Sequence, residues 1–156
     1  MRVTLIKTSL VEEVERIRDK VDPVIDPDKM TLEEYRNYLL KNISASCRGQ
    51  IYAGASVQLP SGGTELFTYD AEDQQNLTSA MAMLMIAPEL PAIPYHSSNG
   101  GLCRMIPAAD LVTIYLTLEV QLTYLVTRCN YMNAWIKSIN NKEELMEITW
   151  ETELPE

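Results

Sequence analysis

Between Leu111 and Ile139, the residues Leu111, Ile114, Leu118, Leu122, Leu125, Cys129, Met132, Ile136 and Ile139 follow one another at steps of three and four. An α-helix repeats one face on that period, so the stretch predicts a helix with Pro107 in its first turn that runs to about Ile139. A helix of that length spans on the order of 45 Å, the size of a whole small domain. Tyr115, Tyr124, Tyr131 and Trp135 widen its apolar side, so it is expected to contact more than one element or a neighbouring subunit. These four are candidate interface residues, and the remaining elements must be arranged around one rod.

The shorter elements announce themselves by their caps and turns. Thr31 and Glu34 form a capping box for a helix that presents Leu32, Tyr35, Leu39 and Ile43 and ends near Ser46. From about Gln50 to Tyr69 the period changes: Val57 and Leu59 precede Pro60-Ser61-Gly62-Gly63, and Leu66, Phe67 and Tyr69 follow it, which predicts a β-hairpin. Asp70 can cap a helix from Ala71 to about Ile86, with Asp73 in the first turn and Pro88 and Pro91 beyond its end. Met81, Met83 and Met85 in that helix read as adaptable core filler. Pro94-Tyr95-His96 and Cys103-Arg104-Met105-Ile106 flank the turn-rich Ser97 to Gly101, a second and shorter hairpin. Asn140 or Asn141 caps a last short helix, ahead of Trp150 and an acidic end expected to fray.

Ahead of these lies an arm. Val3 to Ile6 has the look of a strand, and Ser9 with Glu12 caps a helix to about Lys20 that carries Leu10, Val14, Ile17 and Val21 at four-three-four spacing. Two readings stay open for that stripe, docking on its own domain or self-association. The Asp22-Pro23 and Asp26-Pro27 pairs interrupt any helix, because proline lacks an amide donor and biases its predecessor toward extended backbone. The expected organisation is therefore a docking arm over residues 1–28 and an α+β, mainly helical domain over 29–156. In that domain one long helix packs on one or two short β-hairpins.

With 13 basic against 22 acidic residues the formal net charge is -9, and no basic face interrupts that field. Nucleic acid and anionic lipid are disfavoured as partners. The longest uninterrupted apolar run, Ala80 to Ala87, is too short to span a bilayer, and the N-terminal residues lack the apolar run of a signal peptide. The three cysteines, Cys47, Cys103 and Cys129, are an odd number with no C-x-x-C spacing, and read as reduced, buried thiols. His96 is the single histidine, so a multi-histidine metal site is ruled out and any Cys-His or Ser-His dyad has to use it. Cys103 can approach it across the second hairpin, but no orienting carboxylate is evident, and His96 reads as a hydrogen-bonded structural residue. Phosphate-loop, dinucleotide, zinc-protease and EF-hand patterns are absent. The expectation is a non-enzyme with no cofactor.

Several separated motifs agree in order with a known family. GASVQLPSGGTELFTYDAEDQQNL, IPYHSSNGGLCR and NKEELMEITWETELP, within Cys47 to Pro155, resemble a small domain of unknown function found in tailed phages of Gram-positive hosts. Phe67 ends a hairpin, Asp73-Gln74-Gln75-Asn76-Leu77 opens a helix, and Pro94-Tyr95-His96 precedes Cys103-Arg104. A long helix and Glu143-Glu144-Leu145 follow. The resemblance implies a virion or tail-region protein, from a tail appendage, baseplate or tail fibre, without catalytic residues. Its implied partners are further copies of itself and other tail proteins. An assembly factor that is absent from the finished particle and a host-surface receptor-binding module are the alternative readings.

Overall fold

In the computed structural model of the chain, residues 26–96 and 101–155 are described. The arm stripe Leu10, Val14, Ile17 and Val21 and the Val3 to Ile6 strand lie outside those residues. A 3₁₀ turn, Pro27–Lys29, leads into helix α1, Leu32–Ala53. The Thr31 hydroxyl accepts from the Glu34 amide at 3.3 Å, and the Glu34 carboxylate accepts from the Thr31 amide at 2.8 Å. These bonds hold the Glu34 carboxyl below its ordinary range. Tyr35, Leu39, Ile43 and Cys47 form the buried face.

Helix α1 does not stop near Ser46. Cys47 and the half-buried Ile51 continue its inward stripe, and the one glycine in the way, Gly49, costs only about 1 kcal/mol relative to alanine. The stop is Gly54, whose φ of 71° with ψ of -151° no other residue type adopts cheaply. Gln50 to Ala53, read as the start of the hairpin region, therefore belongs to the helix.

Strands β1, Ala55–Gln58, and β2, Thr64–Phe67, pair antiparallel with Gln58 opposite Thr64 and Ala55 opposite Phe67. Gly62 and Gly63 supply positive φ at the tip, as the turn requires. Helix α2, Ala71–Ile86, opens on Asp70, which accepts from the Glu72 and Asp73 amides while Asp73 accepts in return from the Asp70 amide. Its buried face is Asp73, Leu77, Ala80 and Leu84, again at steps of four and three. Met83 and Met85 are not core filler: residues two apart on a helix point in nearly opposite directions, and Leu84 takes the inward position between them. Only Met81 packs against the core.

Strands β3, Ala92–Tyr95, and β4, Arg104–Pro107, form the second antiparallel hairpin. Pro107 ends β4 and sits at the N-cap of helix α3, Ala108–Ser138, whose 31 residues extend about 46 Å. Helix α4, Lys142–Met146, is capped by Asn141. The segment after α4 is anchored at Trp150, ahead of the acidic end. Trp150 is buried, its carbonyl accepts from Arg128 at 2.7 Å, and the Arg128 guanidinium lies over its ring.

Helix α3 is the spine of two adjoining cores. Leu111, Ile114 and Leu118 pack with Val57, Phe67, Tyr69, Leu77, Ile93, Tyr95 and Ile106 from both hairpins and α2. Leu125, Cys129, Met132 and Ile136 pack with Tyr35, Leu39, Ile43 and Cys47 of α1 and with Leu145 and Trp150. Ile51 touches both groups. Leu122, at the junction, is half-buried where the periodicity placed it inside. The fold is α+β and mainly helical.

Two of the cysteines are buried as expected and Cys103 is exposed, because it precedes β4 and lies outside the strand pairing. Burial and the neighbouring Cys129 thiol push the Cys47 thiol up to about 11. Native protein treated with an aromatic disulfide reagent at mildly alkaline pH should therefore release one equivalent quickly, and all three only in denaturant. Two fast equivalents would contradict the burial of the Cys47 and Cys129 pair.

Candidate functional site

The four aromatic residues expected to mark an interface on the long helix separate into two kinds. Tyr115 is half-buried against the first core and Trp135 against the second, so both are partly consumed by the fold. Tyr124 and Tyr131 are 61% and 64% exposed. Each sits one position before a buried residue, Leu125 or Met132, and one position is a turn of about 100° around the helix. Trp135 stands in the same relation to Ile136, but Leu154 of the C-terminal segment packs against that core beside it.

The exposed tyrosines continue an aliphatic line that the sequence reading did not single out. Val112, Leu116 and Val120 point outward, with Leu116 56% and Val120 69% exposed. Together these residues make an outer apolar face along most of α3. Charge is scarce on the helix: Asp110, Glu119, Arg128 and Lys137 are its only residues of the charged types Asp, Glu, Lys and Arg. Three of them are turned to intramolecular partners. Asp110 accepts from the Ser61 amide at 2.9 Å and from the Ser61 hydroxyl. Glu119 accepts from the Tyr69 hydroxyl, and Arg128 holds the Trp150 and Thr152 carbonyls. Burial, with Glu119 beside it, raises the Tyr69 phenol well above its ordinary range.

At the C-terminal end of this face a depression of about 520 Å³ opens between Tyr131, Ala134, Trp135, Ser138, Leu154 and Pro155. Its walls are aromatic and aliphatic. The helix has the length and mean hydropathy of a membrane-crossing segment by composition alone, 1.3 over its most apolar window. In this fold, that apolarity is divided between two cores on one side and, on the other, a face that is exposed among the described residues. The signal missed in the sequence is a second three-and-four series, Leu116, Val120, Tyr124, Thr127 and Tyr131, running beside the buried one.

The polar candidates gather elsewhere. His96 Nε2 lies 3.5 Å from Oδ1 of Asp73, which is buried at the start of α2. Asp73 is thus the carboxylate that the sequence reading found lacking, brought to His96 by the pairing of β3 with α2. The Tyr95 hydroxyl reaches the Asp73 carbonyl at 3.4 Å, and the Tyr95 and His96 rings stack at 5.1 Å. His96 and Cys103 line a shallow apolar depression of about 310 Å³ with Asn76, Ser79, Ala80, Met83, Ile93 and Pro94. The Asp73 contact orients His96 against the sheet and α2. Among the described residues no group of three or more His, Cys, Asp or Glu side chains is placed to hold a metal ion.

A family model described as "Domain of unknown function (DUF4376)" matches residues 34–149, from the capping glutamate of α1 to the last turn before Trp150. No curated protein and no solved structure matches the chain.

Proposed function

The chain belongs to the DUF4376 family, and on that premise we propose that it is a non-enzymatic structural protein of a bacteriophage virion, a component of a tail appendage, baseplate or tail fibre that works through protein–protein contacts. The observation that supports contact as its mode of action is the outer face of α3. Val112, Leu116, Val120, Tyr124 and Tyr131 leave a continuous apolar surface on a chain of net charge -9, and soluble domains rarely leave such a surface uncovered unless something docks on it. The phage-tail setting rests on the motif resemblance of residues 47–155. In that setting the protein is made in the host cytoplasm and retained in the particle.

Mass spectrometry of purified virions of the encoding phage tests this reading. The chain should be present in several copies per particle. Its presence in infected cells and absence from purified virions would replace the structural role with that of an assembly factor released during morphogenesis.

A further inference from the structure

The outer face of α3 is not uniform along its length, and its two ends are complementary. Its N-terminal half carries the exposed aliphatic side chains Val112 and Leu116. The C-terminal half carries the depression walled by Tyr131 and Trp135. Between them Val120, Tyr124 and Thr127 keep three-and-four spacing. A face with knobs at one end and a hollow at the other matches an inverted copy of itself.

We propose that a second copy of this chain covers the outer face of α3 in an antiparallel two-fold pair, seating Val112 and Leu116 of each copy against the Tyr131 and Trp135 depression of the other. The register follows from the spacing. Leu116 and Tyr131 lie equally far on either side of a midpoint between positions 123 and 124, as do Val120 and Thr127, and Val112 and Trp135. One two-fold axis at that midpoint therefore satisfies all three pairs, as an isologous interface requires. Tyr124 falls next to the axis and meets its own counterpart, and the interposed threonines leave room for the rings.

Area agrees with this occupant, and charge does not exclude it. Two chains of net charge -9 repel as bodies, but α3 presents them to each other across a strip where its ionisable groups are engaged within their own chain or set at the ends. Like charges farther off are screened within about 8 Å at physiological ionic strength. The same net charge acts against seating on an anionic membrane. A contact along a helix of about 46 Å and roughly 10–12 Å wide covers on the order of 500 Å² per copy, about 1,000 Å² for the pair. That reaches the area at which specific interfaces begin, so the dimer is expected to be a reversible one. Antiparallel alignment also opposes the two helix dipoles favourably.

The inference rests on the contact reading above and fails separately from it. Light scattering of the full-length chain across a concentration series should show the mass rising from one chain to two. Leu116→Glu, at a position 56% exposed, should leave the circular dichroism spectrum unchanged and weaken association by about tenfold or more. Adding Tyr131→Lys to it places a lysine opposite each glutamate of the other copy and should restore the dimer. Within one chain these two positions are too far apart on α3 to pair. A wild-type mass of one chain throughout, a trimer or larger closed ring, an L116E protein that dimerises as before, or a double variant that stays monomeric each overturns the pairing. A monomer that floats with phosphatidylcholine vesicles would assign the face to lipid. A monomer whose fold is destabilised by L116E would assign it to the segment before Asp26. A monomer found in virions leaves the structural role intact, and a dimer absent from virions leaves the pairing intact.

Discussion

Replacing Gly54 with alanine is expected to cost about 3–5 kcal/mol and lower the melting temperature by roughly 10 °C or more. Gly54 ends α1 with φ 71° and ψ -151°, a region of backbone space open essentially to glycine alone. A Cβ placed there would lie 1.8 Å from the Phe67 carbonyl oxygen and 2.7 Å from the Thr68 Cα. Both are backbone atoms, so no rotamer change relieves the clash, and β2 has to move away from the end of α1. That movement also strains the bond from Gln121 Nε2 to the Gly54 carbonyl, 2.9 Å long, which fastens the junction to α3. Gly49 supplies the control. It lies inside α1 with nothing within 4 Å of a built Cβ, so Gly49→Ala should stabilise by about 0.5–1 kcal/mol through the lower backbone entropy of the unfolded chain. Thermal melts followed by circular dichroism should show shifts of opposite sign. A Gly54→Ala protein that melts within two or three degrees of wild type would refute the geometry of the α1 to β1 junction.

The second large effect is expected at Phe67, which has no exposed surface and links the two hairpins. Its ring stacks on Tyr95 at 6.4 Å between centroids and packs in the core that Leu111, Ile114 and Leu118 of α3 complete. Phe67→Ala removes that ring from the middle of the core and leaves a void between strands that are each only four residues long. The expected loss is about 3–5 kcal/mol, a large share of the ~5–15 kcal/mol by which domains are stable. Leu66, its neighbour in β2, faces solvent because side chains alternate along a strand, and Leu66→Ala should change stability by no more than about 0.5 kcal/mol. Urea midpoints of the two variants measure the contrast. Equal midpoints would mean that the register pairing Ala55 with Phe67 is wrong, since a slip of one residue would exchange the two faces.

The features legible from residue order are the ones built by neighbours. Thr31 with Glu34 and Asp70 with the α2 amides are interactions within three residues, and Gly62-Gly63 is a turn that positive φ dictates wherever it occurs. Both hairpins, the extent of α2 and the long helix could be read on that basis. The end of α1 could not, because Cys47 and Ile51 earn helical conformation only by facing α3. Met83 and Met85 were misread for the opposite reason: apolar composition marks a segment, and the position of Leu84 decides which residues of it point inward.

The candidate site divides the same way. Tyr124 and Tyr131 were singled out by being aromatic, while Val112, Leu116 and Val120 were passed over because a helix apolar on nearly every side gives no clue to which side stays uncovered. Asp73 was visible as a first-turn carboxylate, but its place beside His96, more than twenty positions on, depends on β3 packing against α2. Caps, turns and helical period act within a few residues along the chain, so residue order was enough to specify most of the described elements, the end of α1 excepted. The face of α3 left open, the half-cores at its two ends and the carboxylate that orients His96 depend on which distant segments pack on which side, and only the assembled chain expresses that choice.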